Sequence, residues 1–320
     1  MKIFSKSMLL TSVVGTFTIM SCNKDVVPEP TNTFSPTTGI ASLNNLFADL
    51  GVHSQNFTID NSTTQTVTGD HGTILTFPAN CFVTYLGGPV SGNVNIELKE
   101  IYDKKSMLLS NITTNAELYP TGPKEPLISG GEFYVNATQG SATLKLAPGQ
   151  QYTAFLPSAT APNPNMSYFK GSTSTMGILW SPNIDSSAGV FPSAAPQGYF
   201  AYCDSLRWGN ADAFMNAPNY TNITLNLSGT FDPTQMKAMV WYDNVKTVWS
   251  FYGAFNSATS EFPDNHTATG VPVHIIVLSV KDGLLYTAII ATTVTSNAVY
   301  NISLLATDET TFTNSITALP

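Results

Sequence analysis

The strongest pattern along the chain is a two-residue alternation. Between positions 93 and 101, Val94, Ile96 and Leu98 fall on one side, and Asn93, Asn95, Glu97 and Lys99 on the other. A period of two sends one row of side chains into a core and the next into water, which predicts a half-buried β-strand. The alternation returns at 130–138, with Phe133, Val135 and Ala137 on one face, at 142–146, and at 222–227, with Ile223, Leu225 and Leu227 inward. Residues 152–156 begin a further strand. Residues 272–280 are apolar on both faces, which predicts a central strand. Lys281-Asp282-Gly283 then reads as a hairpin turn, because Asp-Gly accepts the positive φ that such turns need. Residues 284–294 return beside it, and 299–305 make a last strand. Helical spacing marks 40–50, where Leu43, Leu46, Phe47 and Leu50 predict a short amphipathic helix.

Strands recurring about every ten residues, punctuated by Gly and Pro, predict an all-β protein of two consecutive antiparallel β-sandwich-like domains. The first is expected over 57–157. Beyond it the composition shifts to Ser, Pro, Ala, Asn and Gly up to residue 198, read as short strands joined by long loops inside a second domain over 158–320. Residues 22–56 would supply a flexible tether and the short helix. No period of 20 to 50 residues occurs, so a repeat architecture is not expected.

Composition sharpens this picture. Hydrophobic residues make up 42% and charged residues only 11%, less than half the usual charged share of about 25%. The wet faces of the sheets must then be built from Ser, Thr, Asn and Gln, a habit of exported sheet proteins more than of cytoplasmic enzymes. The formal charge is −8. So acidic a chain, poor in Lys and Arg, is not expected to take nucleic acid as a partner.

The first 21 residues explain the export. Lys2 and Lys6 precede an apolar run from Met8 to Met20, shorter than the roughly 20 residues that a bilayer span needs, and this reads as a secretory signal. Ile19-Met20-Ser21-Cys22 resembles the lipobox of bacterial lipoproteins. The resemblance implies cleavage before Cys22 and acylation of Cys22, so that the membrane is a partner through several acyl chains, each contributing about 0.8 kcal/mol per buried CH₂. Removing the signal leaves 11 basic against 21 acidic residues, a formal −10. Asn23-Lys24-Asp25 lacks an Asp directly after the cysteine, and a Lys followed by acidic residues is similar to the surface-export signal of some outer-membrane lipoproteins. The expected address is the outer membrane, at its periplasmic face or the cell surface. The stretch 26–39, rich in Pro, Thr and Asn, reads as an extended tether.

Several motifs of the body occur together in one known setting. Gly72-Thr-Ile-Leu-Thr-Phe-Pro-Ala-Asn-Cys-Phe82, Val90-Ser-Gly-Asn-Val-Asn-Ile-Glu-Leu-Lys-Glu-Ile-Tyr102, Met107-Leu-Leu and Ser129-Gly-Gly-Glu-Phe133 resemble, in this order, a large group of Gram-negative lipoproteins and exported modules without an assigned activity. Leu206-Arg-Trp-Gly-Asn-Ala-Asp-Ala-Phe resembles a Leu-Gly-Trp-x-Asn-x-Asp-x-Phe segment of the same group, with Arg207 in place of a Gly. The Gly-x-x-Leu-x-x-Pro-Ala segment is similar, at the level of fold, to the spectrin-binding β-sandwich domain of ankyrins and netrin receptors, and implies nothing about spectrin.

Candidate chemistry is sparse. Asp70-His71 precedes a strand and reads as a turn stabilising its own backbone rather than as an acid–base pair. His53, His71, His266 and His274 show no close ligand spacing and no Cys-x-x-Cys occurs, so neither zinc nor another cofactor is expected. Glu97, Lys99, Glu100 and Asp103 read as a solvated row. Trp241, Tyr242, Trp249, Phe251, Tyr252 and Phe255 cluster within 15 positions. Trp241, Trp249 and Tyr252 are the candidates for a ligand platform, against the alternative that these rings fill a core or a seam between domains; Trp180 and Trp208 are expected near them. Asp204-Ser205-Leu206 resembles an O-glycosylation site of some Gram-negative lipoproteins, with Ser205 as acceptor. These readings favour a non-catalytic binding or structural module with an envelope protein or glycan as partner; a glycan-binding accessory lipoprotein and an exported hydrolase are the alternatives. Cys81 and Cys203 are expected in different domains as two separately buried thiols. A thiol-specific reagent added to the denatured, acylated protein should therefore count two reactive groups, and a count of none would mean a disulfide.

Overall fold

The computed structural model describes residues 39–118, 124–174, 177–184 and 188–320. The signal segment, Cys22 and the tether lie outside the described residues. Within them the chain is mostly strand, as expected. Three short α-helices accompany the strands: α1 (Leu43–Leu50), α2 (Lys104–Leu109) and α3 (Glu309–Thr317).

The strands form four sheets that pack as two sandwiches. A nine-stranded sheet runs Gln55–Asp60, Asn93–Ile101, Lys124–Gln139, Arg207–Phe214, Ser167–Ser174, Gly177–Pro182, Asn115–Glu117, with Phe82–Thr84 and Ala142–Leu146 attached beside this path. Asn115–Glu117 also pairs with Lys124–Gln139, so that five of these strands close a ring. The near face of the sheet presents Val94, Ile96, Leu98, Phe133, Val135 and Ala137, the residues that the alternation marks as inward, to a shared core. Leu75, Phe77, Tyr152, Ala154 and Leu156 enter this core from a five-stranded sheet. In the second sandwich, a three-stranded sheet contributes Ile223, Leu225 and Leu227, and another five-stranded sheet Val240, Ile275 and Val277. Two pairings depart from the antiparallel expectation: Val299–Ser303 runs parallel to Tyr220–Ser228, and Gly177–Pro182 parallel to Asn115–Glu117.

A third core lies between the sandwiches. Ile101, Phe169 and Trp180 from the far face of the nine-stranded sheet meet Met239, Ile276, Leu278 and Leu285 of the second sandwich, with Leu46, Phe47, Met107, Leu108, Phe312 and Ile316 of the helices between them. This explains why Pro272–Lys281 is apolar on both sides: Ile275 and Val277 face one core, Ile276 and Leu278 the other. Its hairpin turns through Asp282 at φ 52° and Gly283 at φ 76°, the positive values that the sequence predicts. α1 buries Leu43, Leu46 and Phe47 and is capped by Ser42, whose Oγ accepts from Asn45 N at 3.2 Å. The chain just before α1 is pinned by Gly39 N and Ile40 N, which donate to Gly283 O.

Two expectations need correction. The boundary after residue 157 falls inside the first sandwich, because Ser167–Ser174 and Arg207–Phe214 belong to the nine-stranded sheet. Met166, Tyr168, Tyr199, Ala201 and Cys203 fill the core of that sandwich. The strands of the second sandwich begin at Tyr220. The Ser/Pro/Ala-rich composition reflects loops between strands that return to both sheets of the first sandwich. Cys81 and Cys203, in turn, are both buried and unpaired, but they lie in one core rather than in two.

The Asp70-His71 turn is held by a buried carboxylate. Glu100 accepts from Gln55 Nε2 at 2.7 Å and from the backbone N–H groups of His71 and Thr73, each at 2.9 Å. Gly69 beside it leaves room for the carboxylate: a Cβ there would stand 2.5 Å from Glu100 Oε2. Burial by itself would raise the Glu100 carboxyl, but the donors from Thr73, Gln55 and His71 outweigh it and hold the group below its ordinary value. The stabilisation is present above the ordinary carboxylate range and is lost as pH falls through the lowered value. Glu100→Ala strands these donors and is expected to cost about 2–4 kcal/mol in denaturant unfolding at neutral pH, with a smaller deficit in acid. An unchanged midpoint would show that the turn does not depend on Glu100.

Candidate functional site

The far face of the nine-stranded sheet is covered by the second sandwich over only part of its area. Strand register puts Lys99, Tyr134, Trp208, Gly171 and Trp180 in one row across five strands. Trp180 is fully buried, with Nε1 donating to Thr113 O at 2.9 Å. Trp208, Tyr134 and Lys99 are half-buried, so the row emerges from the middle core into solvent. Gly171 permits this packing: a Cβ there would meet Ile178, Trp208 and Trp180 at 2.7–2.8 Å. The two indoles thus meet edge to face at 6.3 Å, and Tyr134 leans on Trp208 at 5.0 Å.

The exposed end of this row is the floor of a cleft of about 550 Å³, lined by Glu97, Lys99, Tyr134, Gly171, Thr173, Arg207 and Trp208. That volume lies within the range of small-ligand sites. Arg207 sits at φ 95°, a left-handed conformation that a side chain rarely takes and glycine takes freely. Its Nη1 donates to Tyr134 Oη at 2.9 Å and to Asn136 Oδ1 at 2.8 Å. Asn136 Nδ2 donates to Glu97 Oε2 at 3.2 Å, and Ser54 Oγ donates to Glu97 Oε1 at 2.5 Å. Glu97 is thus satisfied by neutral donors. Among the described residues neither Lys99 nor Arg207 forms an ion pair. A second cleft of about 390 Å³, lined by His53, Ser54, Ser110, Asn111 and residues of α1, shares Lys99 with the first.

Further along the same face, where the second sandwich covers it, lies a fully buried acid pair. Glu132 faces Asn210 in register, and a β-bulge follows at Ala211/Asp212. Asn210 Nδ2 donates to Asp212 Oδ2 at 2.5 Å, and neither oxygen of Glu132 has a hydrogen-bond partner. Burial raises the Glu132 carboxyl well above its ordinary value; the nearby Asp212 raises it further, and Lys246 opposes both. Asp212 is raised chiefly by burial too, against donors from Ser129, Gly130 and Asn210 and the charge of Lys246. Lys246 reaches this seam from the second sandwich, and its backbone O accepts from Ser129 N at 2.9 Å. The Ser129-Gly-Gly-Glu and Asn-Ala-Asp motifs therefore meet across one strand pair.

The aromatic cluster of the second sandwich is not a platform. Trp249 is fully buried, and its Nε1 donates to both oxygens of Asp264 at 3.1 Å. Trp241 is 4% exposed, with Nε1 donating to Pro320 O and the Lys104 ammonium 4.5 Å from its ring. Tyr252 is half-buried against Trp249 at 5.2 Å. In a chain so poor in charge these rings supply core volume, and Asp264 satisfies the Trp249 indole, also accepting from Thr267 Oγ1 at 2.5 Å. His274 pairs with Asp243 at 2.8 Å, and His266 lies 2.9 Å from Glu125 and stacks on Tyr220. Ser205 is half-buried and donates to Asp204 Oδ1 at 3.1 Å. Among the described residues no group of three or more His, Cys, Asp and Glu is placed to hold a metal ion.

The groove residues carried weaker signals. Glu97 and Lys99 looked like an ordinary wet row, and Tyr134 is a lone ring on the polar side of an alternating strand. The informative mark was Arg207 at a position where the resembling group carries Gly. No protein-family model, curated protein or solved structure matches the chain.

The raised acids have a consequence opposite in sign to that of Glu100. A carboxyl whose folded value is raised contributes stability that is complete below its unfolded value and is lost as pH rises toward the folded one. The acid pair's contribution to thermal stability is therefore expected to decline as pH rises above the ordinary carboxylate range. Glu132→Gln, which keeps the shape of the protonated acid, should flatten that decline. A variant with the full slope of the parent would remove the acid pair as its source.

Proposed function

We propose that this chain is a lipid-anchored protein of the bacterial outer membrane, held through acylated Cys22, that acts as a non-catalytic binding module toward an envelope protein or glycan. The lipobox resemblance supports the anchor, and the resemblance of the body motifs to Gram-negative lipoproteins supports the setting. The observation that carries the binding role is the groove. On a chain with formal charge −8, it places two cations without ion-pair partners beside a half-buried Tyr–Trp pair. Charges left unpaired over an aromatic floor are what a ligand site needs and what a purely structural surface does not. In this reading the acyl chains supply location and the sheets hold the groove rigid, with binding residues on strands rather than on mobile loops.

Fractionation of the native host tests the anchor. The parent protein should sediment with outer membranes and take up labelled fatty acid, whereas Cys22→Ser should lose the label and leave the membrane fraction. A parent protein free in the soluble fraction, or a Cys22→Ser variant still acylated and membrane-bound, would overturn the proposal.

A further inference from the structure

The groove is more specific than a generic binding surface. Resting on the reading of this cleft as the binding surface, we infer that its ligand is an acidic saccharide, a sugar chain bearing carboxylates, bound with a ring face on Trp208 and Tyr134 and a carboxylate between Arg207 and Lys99. Three observations lead there.

The first is the floor. Trp208 and Tyr134 are half-buried, 5.0 Å apart and inclined at 51°. They present a shallow angled trough of π surface. Such a surface suits the flat C–H face of a pyranose, which is apolar on its face and polar around its rim. Thr173 on the lining offers a hydroxyl to that rim.

The second is the charge. Arg207 gives its Nη1 to Tyr134 and Asn136, which fixes the plane of the guanidinium. The Nε and Nη2 donors have no acceptor among the described residues and form a fork suited to a carboxylate. Lys99 follows on the same floor, also without a partner. Glu97 forms no ion pair with either cation, because its oxygens are turned to Ser54 and Asn136, and its single charge leaves the cleft net positive by one. The left-handed φ of 95° is unfavourable for arginine and is retained where this fork is formed.

The third is the length. Lys99 is shared with the second cleft of about 390 Å³, so the surface continues past one ring and suits a chain rather than a monosaccharide. A polyphosphate such as nucleic acid offers rings and charge as well. Two cations on a protein of formal charge −8 do not meet its dense charge, whose binding rests on releasing many counterions.

The test uses the full-length protein in detergent micelles. Calorimetry with oligogalacturonate is compared with the methyl-esterified oligomer and with a single-stranded oligonucleotide. Oligogalacturonate should bind, and esterification should weaken it roughly tenfold or more. Arg207→Gly is the decisive variant, since glycine suits the backbone there: its thermal midpoint should match or exceed the parent's while affinity falls roughly tenfold or more. Lys99→Gln should weaken binding in the same direction. Equal affinity for the esterified oligomer, full affinity in a stable Arg207→Gly variant, tighter binding of the oligonucleotide, or no saccharide binding would each overturn the inference. The anchor is judged separately by the Cys22 fractionation, so either reading can fall while the other stands.

Discussion

The far face of the nine-stranded sheet is the surface on which the rest of the molecule depends. A sheet with its near face already in a core can expose the other face only if that face is polar. Here it carries Trp180, Phe169 and Ile101, which must be covered. The second sandwich and three helices do this, and a seam of hydrogen bonds aligns them. Thr114 N donates to Val248 O at 2.9 Å, Asn115 Nδ2 to Ser250 O at 2.7 Å, and Thr247 Oγ1 to Leu127 O at 2.8 Å. The same covering seals Glu132 and Asp212 from water and brings Lys246 against them. Sliding would part the buried Lys246 ammonium from Gly130 O and from the acids that oppose its desolvation, and a buried ammonium without partners costs several kcal/mol. Electrostatics therefore favours one relative placement of the sandwiches, where apolar burial alone would tolerate sliding.

What could be read from the letters follows from this layering. Strands with one wet face, such as Asn93–Ile101, announce themselves by alternation, and the doubly buried Pro272–Lys281 by its lack of polar residues. The Asp282-Gly283 hairpin is local chemistry, and it too was legible. Long-range pairing was not. Nothing within 158–214 states that Arg207–Phe214 lies beside Lys124–Gln139, more than 60 positions away. A composition shift toward Ser and Pro looks the same whether it marks a boundary or long returns within one sheet. The rings at 241–255 were visible as a cluster, but clustering does not fix exposure, and adjacency to a second layer decided it.

Charge scarcity turns individual ions into structural statements. With 13 basic and 21 acidic residues in the whole chain, several have one assignable task. Glu100 holds a turn, Asp264 receives the Trp249 indole, Asp243 pairs with His274, and Lys104 caps the backbone carbonyls of Tyr242, Asp243 and Pro320. Each of these ions has its donors or acceptors supplied by the protein. Lys99 and the outer donors of Arg207 have no such partner among the described residues, although Arg207 Nη1 donates to Tyr134 and Asn136.

Their setting also explains why the open strip sits where it does. The row from Lys99 to Trp180 passes from solvent to full burial across five strands, so its buried end is clamped by the middle core while its outer end is free. Gly171 transmits the clamp, since only without a Cβ can Trp208 lie against Trp180. Trp208 in turn supports Tyr134, and Tyr134 Oη receives Arg207. Each contact leaves the next side chain fewer rotamers, so the guanidinium is oriented before any ligand arrives, and less ordering entropy opposes binding. A backbone strain of about 1–3 kcal/mol at Arg207 can be carried because the middle core, buried on both sides, supplies far more. Placing the cation at the edge of the covered zone gives it a rigid support and leaves its remaining donors facing water.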